Sequence, residues 1–233
     1  DLYPALTAGG TVYIVPEIVR KDIDLMHRFI VDNCITGGCY TPQFGELLLR
    51  QYPELPVDYL VVGGERLASV PDCSARFINT YGPTECTVDA TYIEIEKDKR
   101  YDSVPIGRPL DNLIVYVMDK YGQLLPNGIA GELCISGVQI ADGYWKRPEL
   151  TAQAFVDNPY GEGKMYRTGD LVRWNEKGQL EYIGRIDNQV KLRGYRIELG
   201  EIESKASAIE GISQAVAEVK KVGGTDRLVL YYT

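Results

Sequence analysis

The amino-acid sequence predicts an α/β protein in which a parallel sheet with helices is followed by antiparallel strands and a small α+β unit. Three observations lead to this fold class. Residues 1–86 alternate short strand patterns with helical patterns, residues 87–187 contain short strands separated by Gly, Asn and Asp, and residues 188–233 add a hairpin, a helix and two strands. Strands that alternate with helices are typical of a parallel, doubly wound sheet.

The first part contains four strand patterns and two helical patterns. A helix begins after Asp22, a residue type that caps helix N-termini, and a second helix begins near Pro42. The predicted strands lie at residues 11–16, 34–42, 57–65 and 76–85.

From residue 87 onward the strands are expected to be antiparallel and to form a distorted barrel. A helix follows at residues 199–210, with Gly211 as its predicted stop, and two more strands follow it. The predicted strands of this region lie at residues 87–96, 112–119, 131–137, 171–184, 188–198, 213–221 and 226–232.

Composition excludes several classes of function. The formal net charge of −8 argues against a nucleic-acid footprint, and no apolar run reaches the roughly 18 residues of a membrane span. The five cysteines form no CxxC pair, and His27 is the only histidine. These counts argue against a zinc site and a Ser–His–Asp triad, and free thiols suit a reducing cytoplasm.

Two loops at the ends of predicted strands carry polar groups. They are "GGE" at residues 63–65 and "YGPTE" at residues 81–85. Ligands of open α/β sheets bind at the carboxyl ends of the strands, so both loops are candidates for a site. The second loop places the hydroxyl of Thr84 beside the carboxylate of Glu85.

Two further segments are ambiguous when they are taken alone. Asp170 in "YRTGDL" offers a carboxylate that can accept two hydrogen bonds from a vicinal diol, although a simple Asx-turn is the favoured alternative. Residues 184–203 carry four cations that suit a phosphate-rich ligand or a solvated strand pair. These cations are Arg185, Lys191, Arg193 and Arg196.

Four motifs in sequence order resolve the ambiguity. "NTYGPTE", "GELCISGVQIADGYWKRPELTAQAF", "YRTGDLVRW" and "GRIDNQVKLRGYRIELGEIE" resemble successive core motifs of the adenylation domains of nonribosomal peptide synthetases. That family belongs to the superfamily of adenylate-forming enzymes, together with acyl-CoA synthetases and firefly luciferase. The resemblance extends over nearly the whole chain.

The resemblance implies roles for individual residues in binding ATP and Mg²⁺. Tyr81 is similar to the residue that stacks on adenine, and Asp170 is similar to the residue that binds the ribose hydroxyls. Thr84 resembles the hydroxyl that contacts phosphate, and Glu85 resembles the carboxylate that holds Mg²⁺. These two implied roles explain why the turn carries both a hydroxyl and a carboxylate. The remaining nucleotide-binding residues implied are Gly64 and Asn79 at the base edge, and Tyr182 and Arg185 near the ribose.

The resemblance also implies the reaction and its partners. An amino-acid carboxylate attacks the α-phosphate of ATP, and the aminoacyl group then passes to the phosphopantetheine of a peptidyl carrier protein among neighbouring synthetase modules. Lys191 and Arg196 resemble cations that face the phosphates or the bound intermediate. Asp187 resembles the hinge of the small C-terminal unit, and Gly194 would adjoin the pantetheine path.

A substrate pocket follows from the same resemblance. It is expected to be lined by Cys39, Val61, Gly63, Thr80, Val88 and Asp89. Asp89 is the charged member, and a buried carboxylate needs a partner. One candidate partner is a substrate with a polar, hydroxyl or cationic side chain, and the other is a protein group or water. The sequence favours neither of the two.

The sequence also departs from the family. Asp142 stands where Arg is usual, and the Gly-rich phosphate loop lacks a match. The Phe-Asp motif is expected before Asp1 and the catalytic Lys after Thr233, so both ends of a larger protein are expected to be absent and this chain to be inactive or incomplete. The alternatives are an acyl- or aryl-acid-CoA ligase and a non-catalytic nucleotide-binding fragment.

Overall fold

The computed structural model describes residues 2–67, 69–96, 101, 103–187, 189–192, 195–223 and 225–233, without the side chains of residues 191 and 225. The described strands form two five-stranded sheets and two hairpins, with flanking helices. Within the described part of the chain, none of the helices has both the length and the apolarity of a bilayer span.

The first sheet has five strands in the order β1-β2-β3-β4-β5. The first three strands are parallel, as predicted, and the last two are antiparallel. The strands are β1 (Gly37–Tyr40), β2 (Tyr59–Val62), β3 (Arg76–Tyr81), β4 (Thr91–Glu94) and β5 (Arg108–Pro109), and the helices of this region are α1 (Leu2–Thr7), α2 (Ile23–Asp32) and α3 (Pro42–Gln51).

Local signals placed the two longer helices correctly. The side chain of Asp22 accepts a hydrogen bond from the Leu25 backbone N–H at 2.9 Å, which caps α2, and α3 begins at Pro42. Both helices bury apolar side chains against the sheet, where Ile30 and Leu48 belong to the same core cluster as Val62. This core fixes the carboxyl ends of β2 and β3, which carry the candidate site.

The strand predicted at residues 11–16 is wrong. This segment has no regular secondary structure, and Ile14 is 90% exposed. Its β-branched and aromatic composition favours a strand, but β-propensity depends on a neighbouring strand and a buried face. The described residues of the first sheet end at β1 on that side.

The second sheet is antiparallel, as predicted, and follows the path β10-β9-β7-β6, with β8 paired to β9. The described pairings form an open path, so closure into a barrel stays a prediction. The elements are β6 (Leu113–Met118), β7 (Gly131–Gly137), α4 (Pro148–Ala154), β8 (Phe155–Asp157), β9 (Lys164–Trp174) and β10 (Leu180–Arg185).

The C-terminal unit contains two hairpins and a helix. They are β11 (Gln189–Leu192) paired with β12 (Tyr195–Glu198), α5 (Leu199–Ser207), and β13 (Ala215–Val222) paired with β14 (Thr225–Tyr232). The carboxylate of Glu203 on α5 accepts a hydrogen bond from the Ala217 N–H at 2.9 Å, which ties the helix to β13. Helix α5 ends earlier than its predicted stop, Gly211, which follows with a φ of +94°.

The two large sheets meet at Gly107. The Leu180 N–H donates to the Gly107 carbonyl at 2.7 Å, and the Ile106 N–H donates to the Leu180 carbonyl at 2.8 Å. Because β4 and β5 belong to the first sheet, the change of pattern at residue 87 falls within that sheet. The domain boundaries at residues 86/87 and 187/188 stay predictions.

We expect Gly107→Ala to lower the free energy of unfolding by about 1–3 kcal/mol or more. Gly107 has a φ of +87°, and an added Cβ would lie 1.9 Å from the Tyr92 carbonyl oxygen. Urea unfolding measures the loss. The control is Gly200→Ala on α5, where an added Cβ meets nothing within 4 Å and stability should be unchanged or rise by up to about 1 kcal/mol. Equal stability of the two variants would contradict this account of the junction.

Candidate functional site

A cleft of about 450 Å³ opens at the carboxyl ends of β2 and β3, against β10 and the C-terminal unit. Such an edge is where ligands bind in open α/β sheets. Six residues are candidates for nucleotide binding by the family resemblance. Five of them line the cleft: Gly64, Asn79, Tyr81, Tyr182 and Arg185.

The end of β3 forms one wall of this cleft. Asn79 and Tyr81 lie on the buried face of the strand, and the Asn79 amide donates to the Pro105 carbonyl at 2.8 Å. The rings of Tyr81 and Tyr182 are 6.4 Å apart between centroids. Since Tyr81 is only 7% exposed and Tyr182 is half-buried, the accessible aromatic surface at this wall comes mainly from Tyr182.

Asp170, the sixth nucleotide-binding candidate, contacts the cleft wall without lining the cleft. Its carboxylate is buried and accepts hydrogen bonds from the Tyr81 hydroxyl and from Nη1 of Arg185, the latter at 2.9 Å. Burial first, and then the charge of Asp170, raise the pKa of Tyr81 well above its ordinary value. Tyr81 therefore remains a neutral donor to Asp170.

Arg185 links two carboxylates. Besides Asp170, its guanidinium binds both carboxylate oxygens of Asp187, with Nε 2.8 Å from Oδ1, and Nη1 donates to the Thr168 carbonyl at 2.8 Å. Burial opposes the charge of Arg185, but the hydrogen bonds and charges of Asp187 and Asp170 outweigh it and raise the pKa of Arg185. A bidentate guanidinium–carboxylate pair of this kind has a fixed geometry.

Glu85 lies in a 3₁₀ turn, Thr84–Cys86, that follows β3. It is 8% exposed, and its Oε1 accepts a hydrogen bond from the Tyr144 hydroxyl at 2.6 Å. Nη1 of Arg196 lies 3.1 Å from Oε1 and 3.0 Å from Oε2. Burial raises the pKa of Glu85. The Tyr144 hydrogen bond and the Arg196 charge lower this pKa by more than burial raises it, so the net shift is downward.

The turn that holds Glu85 is tightly constrained. An added Cβ on Gly82 would lie 2.1 Å from the Val88 carbonyl oxygen, so the chain closes on itself here. Thr87 and Val88 have φ values of 54° and 76°, which are unfavourable for β-branched residues. Strained backbone of this kind clusters at functional sites.

The predicted substrate-pocket residues lie mostly on the face of the first sheet opposite its buried core. Cys39 is the register neighbour of Val61, and the Thr80 hydroxyl lies 2.4 Å from where a Cβ on Gly63 would be. Desolvation, and then the charge of Asp89, raise the pKa of Cys39. Thr80 also lines the cleft, whereas Val88 is 70% exposed.

Three of the residues singled out from the sequence lie wholly or partly outside the described part of the structure. Lys191 lies on β11 opposite Arg196, but its side chain is outside the described part of the structure. Arg193 and Gly194 lie outside the described residues altogether. Thr84 is exposed in the turn beside Glu85.

Polar contacts join the two halves of the candidate site into one chain. The Gln189 N–H donates to Oδ1 of Asp187 at 3.1 Å, and Nε of Arg196 donates to Oε1 of Gln189 at 2.6 Å. This series of hydrogen bonds therefore runs from Asp170 through Arg185, Asp187, Gln189 and Arg196 to Glu85. Asp187, the predicted hinge, lies in its middle.

Sequence reasoning missed three residues of this arrangement: Thr168, Gln189 and Tyr144. Each lies within a quoted motif, but its contact is made across the fold. Tyr144 is 59 positions from Glu85 in sequence, so a local pattern carries no signal for the pair.

The chain belongs to the AMP-binding enzyme family, whose model matches residues 1–145. More particularly, it is 50% identical, over 97% of its length, to one of the subunits of mycosubtilin synthase from Bacillus subtilis, and it spans 9% of that subunit. A solved nonribosomal peptide synthetase protein containing adenylation and PCP domains matches all of this chain with 28% identity and a TM-score of 0.85. This chain spans 49% of that structure.

A second solved structure is a four-domain nonribosomal peptide synthetase bound to AMP and glycine. It matches 96% of this chain with 36% identity and a TM-score of 0.69, and this chain spans 18% of it. The fold is therefore that of part of an adenylation domain, and the matched region is a small part of each long relative.

We expect Asp187→Asn to flatten the dependence of stability on pH. Burial raises the pKa of Asp187, but hydrogen bonds from Arg185 and the Gln189 N–H lower it more, so the folded pKa lies below the unfolded value of about 3.9. The stabilisation from ionised Asp187 is thus present above about pH 3.9 and is lost as pH falls through the folded pKa.

Urea unfolding at pH 7 and pH 3 measures this effect. Wild type should exceed Asp187→Asn in stability at pH 7, and the difference should shrink at pH 3. A difference of the same size at both pH values would contradict the assigned role of the Arg185–Asp187 pair.

Proposed function

We propose that this chain is part of an amino-acid-activating adenylation domain of a nonribosomal peptide synthetase. The whole domain would form aminoacyl-AMP from an amino acid and ATP and load it as a thioester on a carrier protein. The observation that carries the proposal is the convergence of the nucleotide-binding candidates on one cleft, with Asp170 joined to its wall. The mycosubtilin synthase subunit and the two nonribosomal peptide synthetase structures described above support this activity over that of a CoA ligase.

The cleft would bind the adenosine part of ATP. Tyr182 and Tyr81 would face the adenine ring, and Gly64 and Asn79 would lie along its edge. Oδ1 of Asp170 accepts a hydrogen bond from Arg185 and Oδ2 accepts one from Tyr81, and a carboxylate has further lone pairs for the ribose hydroxyls. Arg185, which Asp170 and Asp187 hold in place, would donate to the ribose.

Glu85 and Thr84 fit a magnesium site that the nucleotide completes. Their oxygen atoms are hard ligands. The Glu85 carboxylate already forms an ion pair with the Arg196 guanidinium, so a positive charge is stable at this position. The described residues contain no cluster of three or more metal-ligating side chains, and Mg²⁺ commonly takes one or two carboxylates together with phosphate oxygens and water. Bound Mg²⁺ would neutralise the charge that develops on the phosphates.

In the proposed reaction, an oxygen of the amino-acid carboxylate attacks the α-phosphorus of ATP and pyrophosphate leaves. Arg196 and Lys191 would face the phosphates in one position of the C-terminal unit. The thiol of the carrier phosphopantetheine then attacks the aminoacyl carbonyl, and AMP leaves. A hinge at Asp187 would exchange the groups that face the site between these steps.

The substrate class follows from the pocket face. Asp89 is half-buried just before β4, and desolvation and then the charge of Asp89 raise the pKa of Cys39 on the pocket face. A carboxylate in this place favours an amino acid with a hydroxyl, polar or cationic side chain.

The five cysteines are free thiols, which supports a cytoplasmic location.

We expect Arg185→Gln to weaken binding of AMP about tenfold or more. A hydrogen bond to a charged group contributes about 1.5–3 kcal/mol, and each 1.4 kcal/mol is about tenfold in affinity. Calorimetric titration with AMP measures the change. The control is Arg173→Gln, which removes an ion pair with Glu181 outside the cleft and should bind AMP like wild type. Wild type that fails to bind AMP, or equal affinity of both variants, would contradict the proposed nucleotide site.

We expect the full-length synthetase to catalyse ATP–pyrophosphate exchange that depends on a hydroxyl, polar or cationic amino acid. An Asp89→Ala variant of the same protein should lose this preference, because the charged partner is gone. A clear preference of the wild type for Leu or Phe would exclude the assigned role of Asp89, and exchange that depends on a simple aryl or acyl acid would exclude amino-acid activation.

A further inference from the structure

We propose that Thr87 is a positioning residue for amino-acid selection, because its side chain fixes the backbone that carries Asp89. This inference rests on the proposed function, which takes Asp89 as the charged member of the substrate pocket. It adds a residue outside that pocket to those that determine specificity, and it identifies the contact that holds the charge of the pocket in place.

The loop between β3 and β4 turns sharply around Gly82. An added Cβ on Gly82 would lie 2.1 Å from the Val88 carbonyl oxygen and 2.8 Å from the Cα of Asp89. The Ala90 N–H donates to the Tyr81 carbonyl at 2.8 Å, which closes the loop just before β4. The backbone of Asp89 is therefore packed closely against the beginning of its own loop.

The backbone of Asp89 is also bonded directly to Thr87. The Asp89 N–H donates to the Thr87 carbonyl at 3.0 Å. A rotation of the Thr87 backbone would therefore carry Asp89 with it. The position of the half-buried Asp89 carboxylate thus depends on the conformation of Thr87.

Thr87 adopts a conformation that its own residue type disfavours. It has a φ of 54° and a ψ of 55°, in the left-handed helical region, and the next residue, Val88, has a φ of 76°. β-branched side chains are unfavourable at positive φ. Two such residues in succession persist only where surrounding structure holds them.

The segment between β7 and α4 supplies this support. The Thr87 hydroxyl donates to the Gln139 carbonyl at 2.8 Å, across 52 positions of sequence. The same segment contacts the loop again through the hydrogen bond from the Ala141 N–H to the Glu85 carbonyl at 2.9 Å. The Thr87 N–H, by contrast, donates to the Thr84 carbonyl at 3.2 Å, within the turn itself. The hydroxyl of Thr87 therefore ties its strained backbone to a separate part of the fold.

The charge of Asp89 acts on the face of the first sheet that is expected to hold the substrate. Desolvation, and then this charge, raise the pKa of Cys39, a predicted pocket residue on β1. A displaced Asp89 would present its charge to a substrate side chain from a different place. The nucleotide cleft is lined by residues outside 82–90, so a change at Thr87 is expected to alter amino-acid recognition and leave nucleotide binding intact.

The test is ATP–pyrophosphate exchange by the full-length synthetase, with each common amino acid as a separate probe. Thr87→Val keeps the β-branched shape and lacks the hydroxyl. It should raise the KM for the preferred amino acid about three- to tenfold, the range expected for loss of one hydrogen bond. The kcat and the KM for ATP should be unchanged, because the reacting groups and the nucleotide cleft are untouched.

Thr87→Ser is the matched control. It restores the hydroxyl and with it the bond to Gln139, so its KM should be that of wild type. Thr87→Gly lacks the hydroxyl but adopts a positive φ without strain. It should also raise the KM for the amino acid, and it keeps the test decisive if Thr87→Val is too unstable to assay.

A double-mutant cycle determines whether Thr87 acts through Asp89. If it does, Thr87→Val should raise the KM by a smaller factor in an Asp89→Ala synthetase than in wild type, since changes at two coupled residues are not additive. Equal factors in the two backgrounds would contradict the positioning role.

The proposal is overturned if the variants without the hydroxyl have the KM of wild type, or if Thr87→Ser raises it as much as Thr87→Val. A KM for ATP that rises together with the KM for the amino acid would also overturn it. Wild type that exchanges with none of the amino acids would overturn the proposed function, and this inference with it. Normal exchange by wild type together with an unaltered Thr87→Val would overturn this inference alone, so the two failures are distinguishable.

Discussion

The buried carboxylate of Asp170 is the interaction on which the cleft depends. It is 3% exposed, and a charge at that depth must be paired, because loss of one partner of a buried pair costs about 3–5 kcal/mol. Its partners come from two other strands, Tyr81 at the end of β3 and Arg185 at the end of β10. The pairing therefore brings the carboxyl end of β3 in the first sheet together with β10, the edge strand of the second sheet, and the cleft lies where they meet.

From this fixed point the charges continue outward to the C-terminal unit. The Asp170 side chain is 5% exposed and that of Arg185 is 13% exposed, whereas that of Asp187 is 50% exposed. The inner pair is thus expected to be permanent, while the outer contacts face solvent and contribute less. A series of contacts that is buried at Asp170 and exposed at Asp187 suits a hinged unit. Glu85 lies where Arg196 of that unit contacts the core.

Signals confined to neighbouring residues predicted much of the fold. Asp22 caps α2, Pro42 begins α3, and the strand pattern at residues 76–85 contains β3, since each of these signals depends on positions a few residues apart. Contacts across the fold were not predictable in this way. Residues 11–16 have strand composition without a partner strand, and the Tyr144–Glu85 hydrogen bond depends on how the second sheet meets the turn. The motif around Asp170 was ambiguous alone, because its side chain reaches Tyr81 and Arg185 instead of closing an Asx-turn.

The most direct test of the account is a crystal structure of this chain with AMP. The account predicts adenine in the cleft beside Tyr182, and ribose hydroxyls within hydrogen-bonding distance of the Asp170 carboxylate while Arg185 keeps its contact with that carboxylate. AMP bound elsewhere, or AMP in the cleft with its ribose directed away from Asp170, would contradict the claim that the Tyr81–Asp170–Arg185 cluster builds a nucleotide site.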